Sequence, residues 1–137
     1  MNVYSKFETE LAVRPDDIDL YQHVHSTRYL DYVLAARFDQ MERCYGVPMQ
    51  KFLELGFGWV VRAGHLEFKR PLGMGEWFTV RTWVDDISSD TVKVHFEIRK
   101  RTNGKCTCDG WFNYTMINLA TGRAEPIPDW IAAKYYV

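Results

Sequence analysis

The chain has 137 residues, with 17 Lys and Arg against 18 Asp and Glu, and 8 Phe, 5 Trp and 8 Tyr within a hydrophobic share of 47%. That length fits one domain, residues 1–137, with enough apolar content for one core. A net charge of −1 gives no electrostatic reason to expect nucleic acid or an anionic membrane as partner, and 15% aromatic residues exclude a disordered chain.

The segment Met1 to Glu10 lacks the apolar run of a signal peptide, and no window reaches the roughly 20 apolar residues of a membrane span. The chain is therefore expected to begin near Met1, in the cytoplasm. Phe7, Thr9, Leu11 and Val13 alternate with polar residues, the period of a half-buried strand. Arg14-Pro15-Asp16-Asp17 ends it, because Pro15 has no N–H to give a ladder. A loop then runs to about Ser26.

From Thr27 to about Cys44 the period becomes helical. Leu30, Val33, Leu34, Phe38 and Met41 form one stripe, which Tyr29, Tyr32 and Ala36 widen to most of the circumference, so this helix is expected to be surrounded. Ser26 or Thr27 can cap its start, and Gly46 can take the left-handed position that ends it. Pro48 to Leu55 reads as one or two further helical turns. Strands are predicted at Trp59–Phe68, Trp77–Val84 and Thr91–Arg99, the last with Val92, Val94, Phe96 and Ile98 inward. Asn103-Gly104 marks a hairpin turn into a strand over Lys105–Leu119. Ile127 to Tyr136 reads as an edge segment or a helical turn. This order specifies an α+β domain with one antiparallel sheet of about five strands around one long helix.

Three cysteines, Cys44, Cys106 and Cys108, make no disulfide framework. No Cys or His pair at zinc-site spacing accompanies Cys106-Thr-Cys108, so no metal is expected. Chemistry-bearing residues concentrate instead in the loop from Asp16 to Ser26, which holds Asp16, Asp17, Asp19, Tyr21, His23 and His25. A helix start presents unpaired N–H groups that can hold a developing oxyanion, and a carboxylate just upstream can activate water against the same carbonyl. The parts for acyl hydrolysis are thus close in sequence, although carboxylates in such a loop also serve as caps and solvated turn residues. No Gly-x-Ser-x-Gly elbow supports a serine nucleophile.

Asp19-Leu-Tyr-Gln-His23-Val-His-Ser-Thr-Arg28-Tyr29-Leu-Asp-Tyr32, followed by Ala36-Arg37, resembles the signature of hotdog-fold acyl thioesterases. It is most similar to the 4-hydroxybenzoyl-CoA thioesterase family and its long-chain fatty acyl-CoA branch. Leu66-Glu-Phe-Lys-Arg-Pro71-Leu-Gly-Met-Gly75-Glu76 resembles a second motif of that family. The resemblance implies a hotdog fold, a homodimer or homotetramer with active sites between protomers, an acyl-CoA substrate, and no metal or organic cofactor. It implies Asp19 as general base or nucleophile, a backbone N–H near Ser26 polarising the thioester carbonyl, and Tyr21 and His23 beside the reacting centre.

His25-Ser26 stands where the family has Asn-Asn, so a titratable ring is expected either beside Asp19 or in solvent. Tyr29 reads as helix packing or as lining of the acyl site, and Tyr32, Trp59 and Trp111 as acyl lining or protomer contact. Arg62, Lys69, Arg70 and Arg99 are candidates for holding coenzyme A phosphates. Hydrolysis of an acyl-carrier-protein thioester and non-catalytic acyl binding are the competing readings.

Overall fold

Residues 4–136 are described in the computed structural model, so the expected start at Met1 and the terminal Val137 lie outside them. The alternating segments form five antiparallel strands: β1 Phe7–Ala12, β2 Phe57–Phe68, β3 Trp77–Ile87, β4 Thr91–Lys100 and β5 Cys106–Asn118. They make one sheet in the order β1-β3-β4-β5-β2. The inward residues of β4, Val92, Val94, Phe96 and Ile98, are all buried, while Lys93, His95, Glu97 and Arg99 take the opposite face. The long helix α1, Tyr29–Arg43, lies across the buried face, and shorter helices α2, Met49–Glu54, and α3, Asp129–Lys134, follow. This is the hotdog arrangement that the sequence motifs imply. The terminal segment is thus a helical turn, not an edge strand.

The helix departs from its sequence reading in phase and in start. Leu34 and Phe38 are 38% and 49% exposed, whereas Arg37 and Gln40 are buried. Val33, Ala36, Arg37, Gln40 and Met41 share the i, i+3, i+4, i+7, i+8 face, and a single sheet covers only that side. The expectation of a fully surrounded helix is corrected accordingly. A 3-10 turn over Ser26–Arg28 precedes α1, closed by the Arg28 N–H on the His25 carbonyl at 2.9 Å. Neither Ser26 nor Thr27 caps the helix with its side chain, because the backbone turn already leads into it. Gly46 does take the left-handed conformation after the helix, at φ 72°.

The two cysteine positions flank Thr107, where the register between β4 and β5 shifts, and Cys44, Cys106 and Cys108 are free thiols. No helix among the described residues is long and apolar enough to cross a membrane. No three His, Cys, Asp or Glu side chains among those residues gather as a metal site. Trp111 lies on the sheet face opposite α1, stacked on His65, so it lines no space between helix and sheet. Tyr32 is a core residue whose hydroxyl donates to Asp17.

Candidate active site

The loop ahead of α1 folds back on itself as a small hairpin. An isolated bridge joins Ile18 to Val24, and the Asp19 N–H donates to the His23 carbonyl at 2.8 Å. Gln22 closes the bend in the left-handed region at φ 62°, a conformation that non-glycine residues adopt at a cost and that recurs at functional sites. The bend turns the N–H groups of Tyr21 and His23 onto Asp19 Oδ1, at 2.8 and 3.1 Å. The His23 N–H, and after it the Tyr21 N–H, hold the Asp19 carboxyl below the usual carboxylate value, with the His25 and His23 rings adding to the effect. Asp19 is therefore ionised at neutral pH, with Oδ2 free of these bonds.

A second strand of the chain completes the site. Phe68, Lys69, Arg70 and Pro71, at the end of β2, face Asp19, His23, Val24, Ser26 and Tyr29 across an open cleft of about 370 Å³. The His23–Gly73 bridge and the Val24 N–H bond to the Leu72 carbonyl at 2.8 Å tie the two segments together. Tyr29 is buried against Phe68, ring centroids 5.3 Å apart, and burial pushes its phenol up from the ordinary value. The Ser26 N–H opens the 3-10 turn and meets no backbone acceptor among the described residues. Lys69 pairs with Asp109 at 2.9 Å, and Arg70 donates to the Cys106 carbonyl at 3.0 Å, so both cations are anchored at the rim.

The sequence candidates Asp19, His23, Ser26, Tyr29 and Arg70 thus line one cleft. Tyr21 does not join them. The left-handed bend at Gln22 breaks the period-2 alternation of an extended segment, and Tyr21 stands 81% exposed beside Leu20 at 99%. His25 is also exposed and outside the cleft lining, its N–H bonded to the Asp17 carbonyl. Arg99 lies elsewhere, paired with Glu97 and bonded to the Gly104 carbonyl. Phe68 and Pro71 are the cleft residues that loop reasoning passes over, although the second sequence motif contains both.

Asp17, two residues from Asp19, has a different role. It is 3% exposed and accepts bonds from the Tyr32 hydroxyl at 2.7 Å and the Arg14 guanidinium at 2.8 Å, with Arg28 3.5 Å away. Burial pushes its carboxyl up, but the bonds from Tyr32 and Arg14 outweigh this and leave it below its ordinary value of 3.8. The stability it contributes is therefore fully present above about pH 4 and is lost as pH falls through the lowered value. Asp17→Asn is expected to flatten the acid side of a Tm-against-pH curve, and Asp17→Ala to cost about 2 kcal/mol at neutral pH. A Tm profile that both variants share with the wild type would refute this structural role.

The sequence profile of the Thioesterase-like superfamily matches residues 13–135. The chain is 24% identical over 117 residues to the long-chain acyl-CoA thioesterase FadM of Escherichia coli, covering 85% of this chain and 87% of that protein. A hypothetical protein from Thermus thermophilus superposes with a TM-score of 0.86 at 27% identity, covering 96% of this chain and 95% of its own. A 1,4-dihydroxy-2-naphthoyl-CoA thioesterase from Synechocystis does so with a TM-score of 0.85 over 96% of each chain, and at 17% identity that likeness is one of fold. With its strand order, its helix and nearly its whole length accounted for by this match, the chain belongs to the Thioesterase-like superfamily.

Proposed function

We propose that the protein hydrolyses acyl-CoA thioesters to a carboxylic acid and coenzyme A, in the cytoplasm, with its sites between two copies of the chain. The observation that carries this reading is an ionised carboxylate and an unshared helix-start N–H on one cleft. Asp19 Oδ2 takes a proton from water as the water oxygen bonds to the thioester carbon. The carbonyl oxygen becomes an oxyanion facing the Ser26 N–H, and its collapse expels the coenzyme A thiolate, which takes up a proton. Direct attack by Asp19, giving a mixed anhydride that water then cleaves, uses the same atoms. Lys69 and Arg70 at the rim fit the phosphates of coenzyme A.

Two surface features support pairing of two copies. The strand β2 is an edge strand of 12 residues with much of its length exposed, and the Leu20-Tyr21 tip projects an apolar surface beside Asp19. Light scattering at micromolar concentration is expected to give at least a dimer; a stable monomer would sink the shared site.

Thiol release from short, aromatic and long acyl-CoAs tests the activity, and competition with an acyl-carrier-protein thioester separates the two donor classes. Ligand retention without thiol release across the panel would favour the non-catalytic reading. The N–H donor can be removed with little else. Ser26 opens the 3-10 turn, where proline is favoured, and His25 at φ −55°, ψ 137° already has the extended backbone that proline requires before it. Ser26→Pro is expected to lower kcat by about 10²–10³-fold and Ser26→Ala to leave it near wild type. Equal rates for the two variants would show that the N–H is not the oxyanion donor.

A further inference from the structure

Arg37 projects from the buried face of α1 and is 5% exposed, yet among the described residues no carboxylate lies within 4.0 Å of it. The exposed Arg14, Arg43 and Arg101 and the half-buried Arg81 each have such a partner. Arg37 donates instead to the Thr82 hydroxyl at 3.4 Å and to the Met41 sulfur at 3.3 Å, and stands over the Tyr45 ring. The hydroxyl bond is long and the sulfur a weak acceptor, so a guanidinium with five N–H groups remains poorly satisfied. A buried charge left so is costly unless something pairs with it.

Arg37 lines a cavity of about 30 Å³ between α1 and the sheet, with Trp59, Tyr114, Leu34, Met41 and Met49. Among the described residues, Trp59 Nε1 and the Tyr114 hydroxyl are buried without a hydrogen-bond partner. Burial pushes the Tyr114 phenol up to about 12, so it keeps its proton at neutral pH. Tyr135 also lines the cavity, and burial keeps its phenol protonated too, so each polar side chain there, Arg37, Trp59, Tyr114 and Tyr135, carries a donor. The space holds about two water-sized groups, but waters there would bring protons for which the Tyr114 and Tyr135 oxygens are nearly the sole acceptors. Two oxygens that only accept, carrying one negative charge, complement this excess of donors.

We propose that this cavity is a binding site for the carboxylate of an apolar acid. The carboxylate sits against Arg37, Tyr114 and Trp59. The hydrocarbon passes outward beside the flexible thioethers of the buried Met41 and the half-buried Met49 to the exposed Leu34 at the rim. This site is separate from the Asp19 cleft, with which it shares no lining residue. It does not rest on the hydrolase reading, because its test is one of binding. Two sources have this chemistry: a free fatty or aromatic acid, and an acyl-CoA carrying a second carboxylate at its far end.

The experiment measures thermal shift and calorimetric binding on the full chain with two pairs of probes. Octanoate is compared with octan-1-ol, and alkyl-CoA thioethers of equal length are compared with and without a terminal carboxylate. Preference for octanoate that falls at least tenfold in Arg37→Met and about three- to tenfold in Tyr114→Phe supports the site with a free acid as ligand. The same Arg37 dependence confined to the carboxylated thioether supports it with the distal carboxylate as ligand. Arg37→Met removes an unpaired buried charge and is expected to fold; if it does not, Tyr114→Phe carries the comparison. No preference for the carboxylate in either pair, or a preference that survives the substitutions, overturns the proposal and leaves a water-filled cavity.

Discussion

Asp19→Asn is expected to lower kcat on an acyl-CoA by about 10²–10⁴-fold with Tm and KM close to wild type. The amide oxygen of Asn can accept the same two N–H bonds, from Tyr21 and His23, that now reach Asp19 Oδ1, so the hairpin keeps its shape while the charge disappears. Asp19→Ala loses those bonds as well and is expected to lower Tm besides. Because backbone donors hold the carboxyl below its ordinary value of 3.8, and the ionised form is the active one, kcat/KM falls only as pH drops below about 4. Steady-state kinetics with circular dichroism separate the two effects. An Asn variant with wild-type kcat would remove Asp19 from the chemistry and leave the cleft without its base.

The largest effect on stability is expected at Gly110. It lies in β5 at φ 156°, opposite Leu66 of β2, and a Cβ there would come within 1.8 Å of the His65 carbonyl oxygen. Backbone cannot swing away as a flexible side-chain end can, so Gly110→Ala has to push β2 off β5. A cost of about 4 kcal/mol or more is expected, read by chemical denaturation. Thr107 and Cys108, which seat Lys69 and Phe68, are only a few residues away, so thioesterase activity should decline with the fold. A variant with wild-type stability would mean that the two strands meet differently from the pairing described here.

The strands were legible because period-2 alternation records directly which face meets a core, and β4 shows it without exception from Val92 to Ile98. The phase of α1 was not legible, because hydropathy ranks Leu34 and Phe38 above Arg37 and Gln40 while the sheet decides which side is covered. Gln40 tolerates burial through bonds to Thr9 and Thr82, partners that come from β1 and β3 and cannot be seen along the helix. In the cleft, Asp19, His23, Ser26 and Tyr29 are near neighbours in sequence and were found together. Tyr21 stands outside the cleft lining because of one left-handed residue, Gln22, which no pattern of types announces. Phe68 and Pro71 arrive from the end of a distant strand, and only the second motif could have brought them in.

The strand order has a kinetic meaning. The strands β3, β4 and β5 are joined by short turns and sit side by side, so their contacts close at small sequence separation, whereas β1 and β2 join the two outer edges from far along the chain. The central meander is therefore the part expected to form early, and the edge strands to zip on afterwards. Asp19 follows β1, Phe68 ends β2 and Lys69–Pro71 follow it, so the cleft is assembled by the two elements that arrive last. In native-state hydrogen exchange, the lowest-energy openings should dissolve the cleft while the amides of β4 stay protected up to global unfolding.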